Sequence, residues 1–277
     1  MLEKLYKPKD TPMQVAIFMS GSGTNAIKLL DHQRKLEARD GSPFRISTIV
    51  TDNQEKGNNA RSIATDFGLP EPIFEDFRKF RRENIKDPKD LSERAPYFEK
   101  LVNRLQDVKP AIDFIALAGY ELIVTEPLLS AFNHRIVNVH PADLSIRNGN
   151  GSPKYVGNQA VRDAILANEE MLRASTHIVM SSVDEGPVLL VSQPVKVDLG
   201  EMTIWDLVRE EYADRLKAVA KEHQDRLKKV GDWNIFPLTL ELLSAGRFES
   251  DKKGMLYFDS QPMPYGFKIE NLLRSDL

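Results

Sequence analysis

"NVHP", residues 138–141, sets an amide and an imidazole two positions apart. Asn138 and His140 alternate around Val139 where a strand-like run ends. Residues two apart on a strand point to one face, so both side chains share one cleft. Pro141 then stops the strand. Downstream, "DEGP" puts a carboxylate, Asp184, in a turn between two further strand-like runs. An amide, an imidazole and a carboxylate can together donate hydrogen bonds and pass a proton. Each also has a plainer use: His140 as a capping histidine bonded to nearby backbone, Asp184 as a turn residue bonding its own backbone. The third group is "SGSGTN", comprising Ser20, Gly21, Ser22, Gly23, Thr24 and Asn25, between an apolar run and a helix-like pattern. Glycine there permits close approach of a ligand to the backbone and a positive φ. Thr24 is placed to cap the helix, whose first free N–H groups would stabilise a phosphate. The same loop fits G-x-G-x-x-A, a dinucleotide-binding pattern, with Asp52 at the end of the next strand to hold a ribose. On this motif a nicotinamide enzyme, a phosphosugar enzyme and a bare strand-to-helix turn all stay open.

Strand-like runs at residues 15–19, 45–51, 112–118, 135–139, 175–181 and 188–195 must position these groups. Helix-like amphipathic stretches fall at 25–36, 59–67, 97–106, 159–167 and 204–228. The alternation predicts an α/β fold: an open, mostly parallel Rossmann-like sheet with helices on both faces. The early runs are apolar throughout, as strands covered on both faces should be. Such sheets carry their sites outside the carboxyl ends of the strands, where the glycine loop and the Asn138–His140 pair both fall. Beyond Ser175, two runs follow one another across "SSVDEGP", giving an antiparallel hairpin at one side of the sheet. A second hairpin turns at 251–254 in "GRFESDKKGMLYFD". The expected organisation is one catalytic domain over 1–243, with 244–277 as an appendage packed on it as a short hairpin and a capping segment.

Composition excludes several classes. With 38 basic against 41 acidic residues in 277, the net charge of −3 gives no global pull toward nucleic acid or an anionic membrane. The absence of cysteine removes disulfides, thiolate catalysis and cysteine-based metal sites. No signal-peptide core and no apolar stretch of membrane-spanning length occur, so the expectation is a cytoplasmic protein, monomer or homodimer, acting on small molecules without a metal.

S-G-x-G-T-N at a first strand, N-x-H-P at a later one and D-x-G-P in a downstream hairpin form a specific set. The set resembles the 10-formyltetrahydrofolate-dependent formyltransferases, most closely those acting on phosphoribosylglycinamide (GAR) in purine biosynthesis. The likeness runs from about residue 15 to residue 248 and includes "LAGYELIV", "KYVG" and "STHIVMSSVDEGPVLLVSQPV". The resemblance implies a formyltransferase fold, 10-formyltetrahydrofolate as co-substrate, and Asn138, His140 and Asp184 as the catalytic set. It also implies that residues 20–25 hold the substrate phosphate through backbone N–H groups. Arg94 and Asp232 become further substrate contacts, Asp232 standing where the family commonly has a glutamate. The folate would lie against Leu117, Ala118, Gly119, Tyr120, Glu121, Leu122, Ile123, Val124, Met180 and Val183. In that chemistry Asn138 and His140 would steady the oxyanion of a tetrahedral intermediate, and Asp184 would shuttle protons and favour the charged imidazole.

The chain departs from the family around the amine acceptor. An Asn/Gly-rich insertion occupies 145–153, and Asn158, Gln159 and Val161 stand where the family often has histidines. The basic segment 75–90 reads as a solvated face, with a phosphate or RNA contact as the alternative. His32 and His223 lie in charged stretches and are expected to be exposed, Trp205 and Trp233 to be packing residues. His177, seven residues before Asp184, is either a site residue or a core histidine.

Overall fold

The computed structural model describes residues 2–275. In chain order the first half runs β1 (Glu3–Lys4), β2 (Met13–Met19), α1 (Thr24–Glu37), β3 (Phe44–Thr51), α2 (Ala60–Phe67), β4 (Ile73–Phe74), α3 (Phe77–Asn84), α4 (Ala95–Gln106), β5 (Phe114–Leu117), α5 (Leu128–Ala131) and β6 (Ile136–His140). The second half continues α6 (Ala160–Leu166), β7 (Met171–Leu172), β8 (Ser175–Ile178), β9 (Val188–Val191), β10 (Val195–Lys196), α7 (Ile204–Leu207), α8 (Ala213–Leu227), α9 (Trp233–Ser244), β11 (Phe248–Ser250), β12 (Leu256–Phe258), β13 (Gln261–Pro262), β14 (Phe267–Lys268) and α10 (Ile269–Ser275).

Among the described residues eight strands form the main sheet, in the order β14-β9-β8-β6-β5-β2-β3-β4. All are parallel except β8, which runs antiparallel to both β6 and β9. The period of two separates the sheet's faces. Met13, Val15, Ile17 and Met19 join the core under α1 and α9, whereas Ala16 and Phe18 join the core under α4. Strand order reverses between β2 and β5, which opens a crevice at the carboxyl ends of the strands. No helix among the described residues is long and apolar enough to cross a membrane.

Several expectations need correction. Residues 204–228 do not form one helix: α7 ends at Leu207, a 3-10 turn spans Glu210–Tyr212, and α8 follows. The tail does more than cap the domain. β11, β12 and β13 form a separate antiparallel sheet with β1, and β14 then adds a parallel strand to the main sheet through Phe267 opposite Leu190. Residues 276–277 of that tail, like residue 1, lie outside the described residues. Thr24 does not cap α1; Gly23 holds the cap position at φ 68, without a side-chain hydrogen bond. His223 is buried: its Nδ1 faces the Val219 carbonyl at 2.8 Å and its Nε2 accepts from the Asp198 N–H at 2.9 Å. Trp205 is 82% exposed and packs no core.

Candidate active site

β6 delivers Asn138 and His140 to one face because they share the parity of Ile136, which faces the core under α4. The antiparallel partner completes the row. β8 sets His177 directly opposite Asn138, and directly opposed residues share a face. The Asn138 amide nitrogen lies 3.2 Å from His177 Nε2. The turn between β8 and β9 then brings back Asp184, whose backbone is left-handed at φ 57. Its Oδ2 lies 3.4 Å from His140 Nδ1 and accepts the Gly157 N–H at 2.8 Å; its Oδ1 lies 3.5 Å from His177 Nε2. Asn138, His140, His177 and Asp184 thus converge on the wall of one cleft of about 430 Å³.

Hydrogen-bond partners fix the ring states. A carbonyl can only accept, so the Tyr155 carbonyl 3.1 Å from His140 Nε2 places the ring proton there. The neutral ring therefore turns the lone pair of Nδ1 toward Asp184. The Ile178 carbonyl, 3.1 Å from His177 Nδ1, holds a proton there, and His177 Nε2 stands between the Asn138 amide at 3.2 Å and Asp184 Oδ1 at 3.5 Å. That contact orients Asn138 and leaves its second N–H to donate elsewhere. Burial drives the His140 pKa down, outweighing the upward pull of Asp184 and reinforced by His177. Asp184 thus favours the charged imidazole as expected, but burial outweighs it and the neutral ring prevails near pH 7. Burial pushes the Asp184 carboxyl up, but His177, His140 and the Gly157 N–H together bring it down to about 2, so it stays ionised.

The rest of the cleft is made by the loop after β5. Leu117, Gly119, Tyr120, Glu121, Leu122, Ile123 and Val124 line it, with Met180 and Val183 opposite. Ala118 is buried outside the lining, its N–H donated to the Phe18 carbonyl. α8 adds Gln224, and Lys228, four residues on, opens the π-helical segment Lys228–Asp232 that follows it; their setting in a charge-rich stretch gave no signal in the sequence.

Residues 20–25 adjoin this cleft without lining it. The Ser20 N–H bonds the Gly119 carbonyl at 2.9 Å, and the Glu121 N–H bonds Ser20 Oγ at 3.0 Å. The first intrahelical bond of α1 is Ile27 N–H to Gly23 O at 2.9 Å, so the N–H groups of Thr24, Asn25 and Ala26 have no acceptor within the helix. Asp52 does not offer itself to a ribose. It is buried, its carboxyl pushed up by burial while Ser20 and Asn53 bond it. The ribose-holding carboxylate of a dinucleotide site is therefore spent on the loop itself.

Arg94 and Asp232 also lie outside the cleft lining. Arg94 donates to the Ile123 carbonyl at 3.1 Å, behind the loop after β5. Asp232 ends a π-helical segment, Lys228–Asp232, and accepts a long bond of 3.4 Å from the Asn25 amide, tying α9 to the glycine loop. Oδ1 of both Asp232 and Asn25 is buried without a partner, so this junction has acceptors to spare for a donor entering beside the loop. Burial raises the Asp232 carboxyl from its ordinary 3.8 to about 6, against the pull of Asn25 and Lys228. A carboxyl whose pKa rises on folding loses stability as pH climbs from its unfolded value to its folded one. The difference amounts to about 3 kcal/mol. The stability of the wild type relative to Asp232→Asn should fall by about that much between pH ~4 and ~7 in urea unfolding; a flat difference would contradict the raised carboxyl.

Comparison with known proteins agrees with this geometry. The family model described as Formyl transferase matches residues 13–220. A phosphoribosylglycinamide formyltransferase from Haemophilus influenzae is 23% identical over 252 residues, covering 91% of this chain and 96% of that protein. A trifunctional purine biosynthetic protein from Drosophila melanogaster is 25% identical over 64% of this chain, which spans 11% of that protein's length. Among solved structures, glycinamide ribonucleotide transformylase 1 from Symbiobacterium toebii superposes with a TM-score of 0.61 at 25% identity, covering 90% of this chain and 95% of that one.

Proposed function

Because the chain belongs to the formyl transferase family, we propose that it moves a formyl group from 10-formyltetrahydrofolate to the primary amine of phosphoribosylglycinamide, as a cytoplasmic enzyme of purine biosynthesis. The observation that carries this reading is the meeting of Asn138, neutral His140 and ionised Asp184 at one end of a cleft walled by the apolar loop after β5. Relatives named for this acceptor support its choice.

The chemistry follows from the ring states. The acceptor nitrogen attacks the formyl carbon and the carbonyl electron pair moves to oxygen. The free N–H of Asn138 donates to that oxygen, a contact whose loss costs about 100- to 1000-fold. The proton of the attacking nitrogen passes to the Asp184–His140 pair and across it to Nδ1, unprotonated at rest. The imidazolium so formed faces Asp184, which stabilises it. When the carbonyl reforms, the folate nitrogen leaves and recovers that proton. The products are the N-formyl acceptor and tetrahydrofolate.

The test is turnover of 10-formyltetrahydrofolate with and without phosphoribosylglycinamide. Formation of tetrahydrofolate only when the amine is present is the expected result. Equal rates without it would make the protein a hydrolase, with water in place of the amine.

A further inference from the structure

A neutral imidazole holds one ring proton, and at His140 two acceptors compete for it. The Tyr155 carbonyl lies 3.1 Å from Nε2, and Asp184 Oδ2 lies 3.4 Å from Nδ1. An ionised acceptor makes the stronger hydrogen bond. Asp184 therefore draws the proton toward Nδ1, where it would block the position that has to receive the next one. The proton rests on Nε2 only while the carbonyl is held close and the carboxylate is otherwise engaged. One short stretch of backbone does both. Tyr155 supplies the carbonyl, and two residues on the Gly157 N–H donates at 2.8 Å to Oδ2, the same oxygen that faces Nδ1.

This stretch belongs to no helix or strand and runs between the Asn/Gly-rich insertion and α6. At its start the Lys154 N–H bonds the Ile146 carbonyl at 2.9 Å. Its other anchor is a side chain. Tyr155 is buried in the main core, and its hydroxyl donates to Glu169 Oε1 at 2.6 Å. Lys154 Nζ lies 3.3 Å from the same oxygen. The Glu169 N–H is bonded to the Ala164 carbonyl at 3.1 Å, which ties the acceptor to α6. Burial and the bond to Glu169 both raise the Tyr155 pKa, so the hydroxyl keeps its proton and remains the donor. Neither Tyr155 nor Glu169 lines the cleft, so their influence on turnover passes through the backbone.

We propose that Tyr155 and Glu169 are positioning residues for formyl transfer: their hydrogen bond pins the backbone of 155–157, which keeps the resting His140 proton on Nε2 and leaves Nδ1 open. The role rests on the formyl-transfer reading. The test uses the full chain as wild type, Tyr155→Phe, Glu169→Ala, Glu169→Gln and, as control, Glu170→Ala, an exposed neighbour. All are measured below their melting temperatures. Ring-nitrogen NMR of protein isotopically labelled at histidine reports the tautomer, the His140 signals being those missing from His140→Gln. Steady-state kinetics gives kcat and both KM values. The wild type should show an Nε2–H ring. Tyr155→Phe and Glu169→Ala should move most of the His140 population to Nδ1–H. They should lower kcat about 10-fold, the scale of one hydrogen bond to a charged group, with both KM values within about 3-fold. Glu169→Gln keeps an acceptor oxygen for the hydroxyl and should stay within about 3-fold of the wild-type kcat. Glu170→Ala should match the wild type. Variants that melt earlier yet keep the Nε2–H signals and kcat overturn the positioning role, because a purely structural bond would give that result. So does a fall in kcat with the tautomer unchanged. A wild type that turns over no 10-formyltetrahydrofolate overturns the formyl-transfer reading and the role with it, and the tautomer, read without substrate, tells the two failures apart.

Discussion

Asp184→Asn is expected to lower kcat about 1000-fold while changing the donor's KM by less than about 3-fold. The substitution keeps the size of the side chain and one acceptor oxygen, so the Gly157 N–H can still be satisfied. What it removes is charge. In the proposed mechanism His140 begins neutral, with Nδ1 3.4 Å from the carboxylate, and becomes cationic only while it holds the proton of the attacking amine. A buried cation without a counter-charge is costly. Since each 1.36 kcal/mol of barrier is worth about tenfold, a loss of about 4 kcal/mol accounts for the drop. On the proposed reading the donor lies against the loop after β5, which the substitution leaves in place. Steady-state kinetics on both substrates checks this. Retention of a tenth or more of kcat would remove Asp184 from the proton path.

Gly186→Ala should abolish turnover and destabilise the fold together. A Cβ at this position would stand 1.8 Å from the Ile178 carbonyl oxygen and 2.9 Å from its carbon. Both are backbone atoms of the strand that carries His177, so no side-chain rotation relieves the clash. The two sides of the hairpin would have to separate beside the bond from the Ile178 N–H to the Pro187 carbonyl. The cost is on the order of 3–5 kcal/mol, or about 6–12 °C in Tm for a chain of this size. Asp184 lies two residues away on the same turn and would move with it. Calorimetry beside kcat measures both effects; a variant that melts and turns over like the wild type would show that this close approach does not set the turn.

The strands were legible because their signal is strong. "VAIFM" and "FIAL" are apolar on both faces, and a strand buried on both sides needs little else to announce it. The placement of Asn138 and His140 was legible from parity, since a strand's period of two is rigid. His177 was not, because only its ladder partner reveals which face it takes. α9 was hidden by Pro237, which reads as a breaker yet sits inside the helix, five residues beyond the π-helical segment that precedes it. His223 was misjudged because Lys221, Glu222 and Asp225 surround it in sequence, while α8 turns it alone toward the core. The charge state of His140 follows from burial, which outweighs the upward pulls of Asp184 and the Tyr155 carbonyl and depends on contacts the sequence does not spell out.

β14 is a two-residue strand, yet its position has a consequence for biosynthesis. It covers β9, the outer strand of the hairpin that presents Asp184, and it is drawn from beyond α9. On the ribosome the polypeptide must therefore emerge past Lys268 before that hairpin ceases to be an open border. Until then its bare amides and carbonyls are a template for any passing strand, the hazard that molecular chaperones exist to shield.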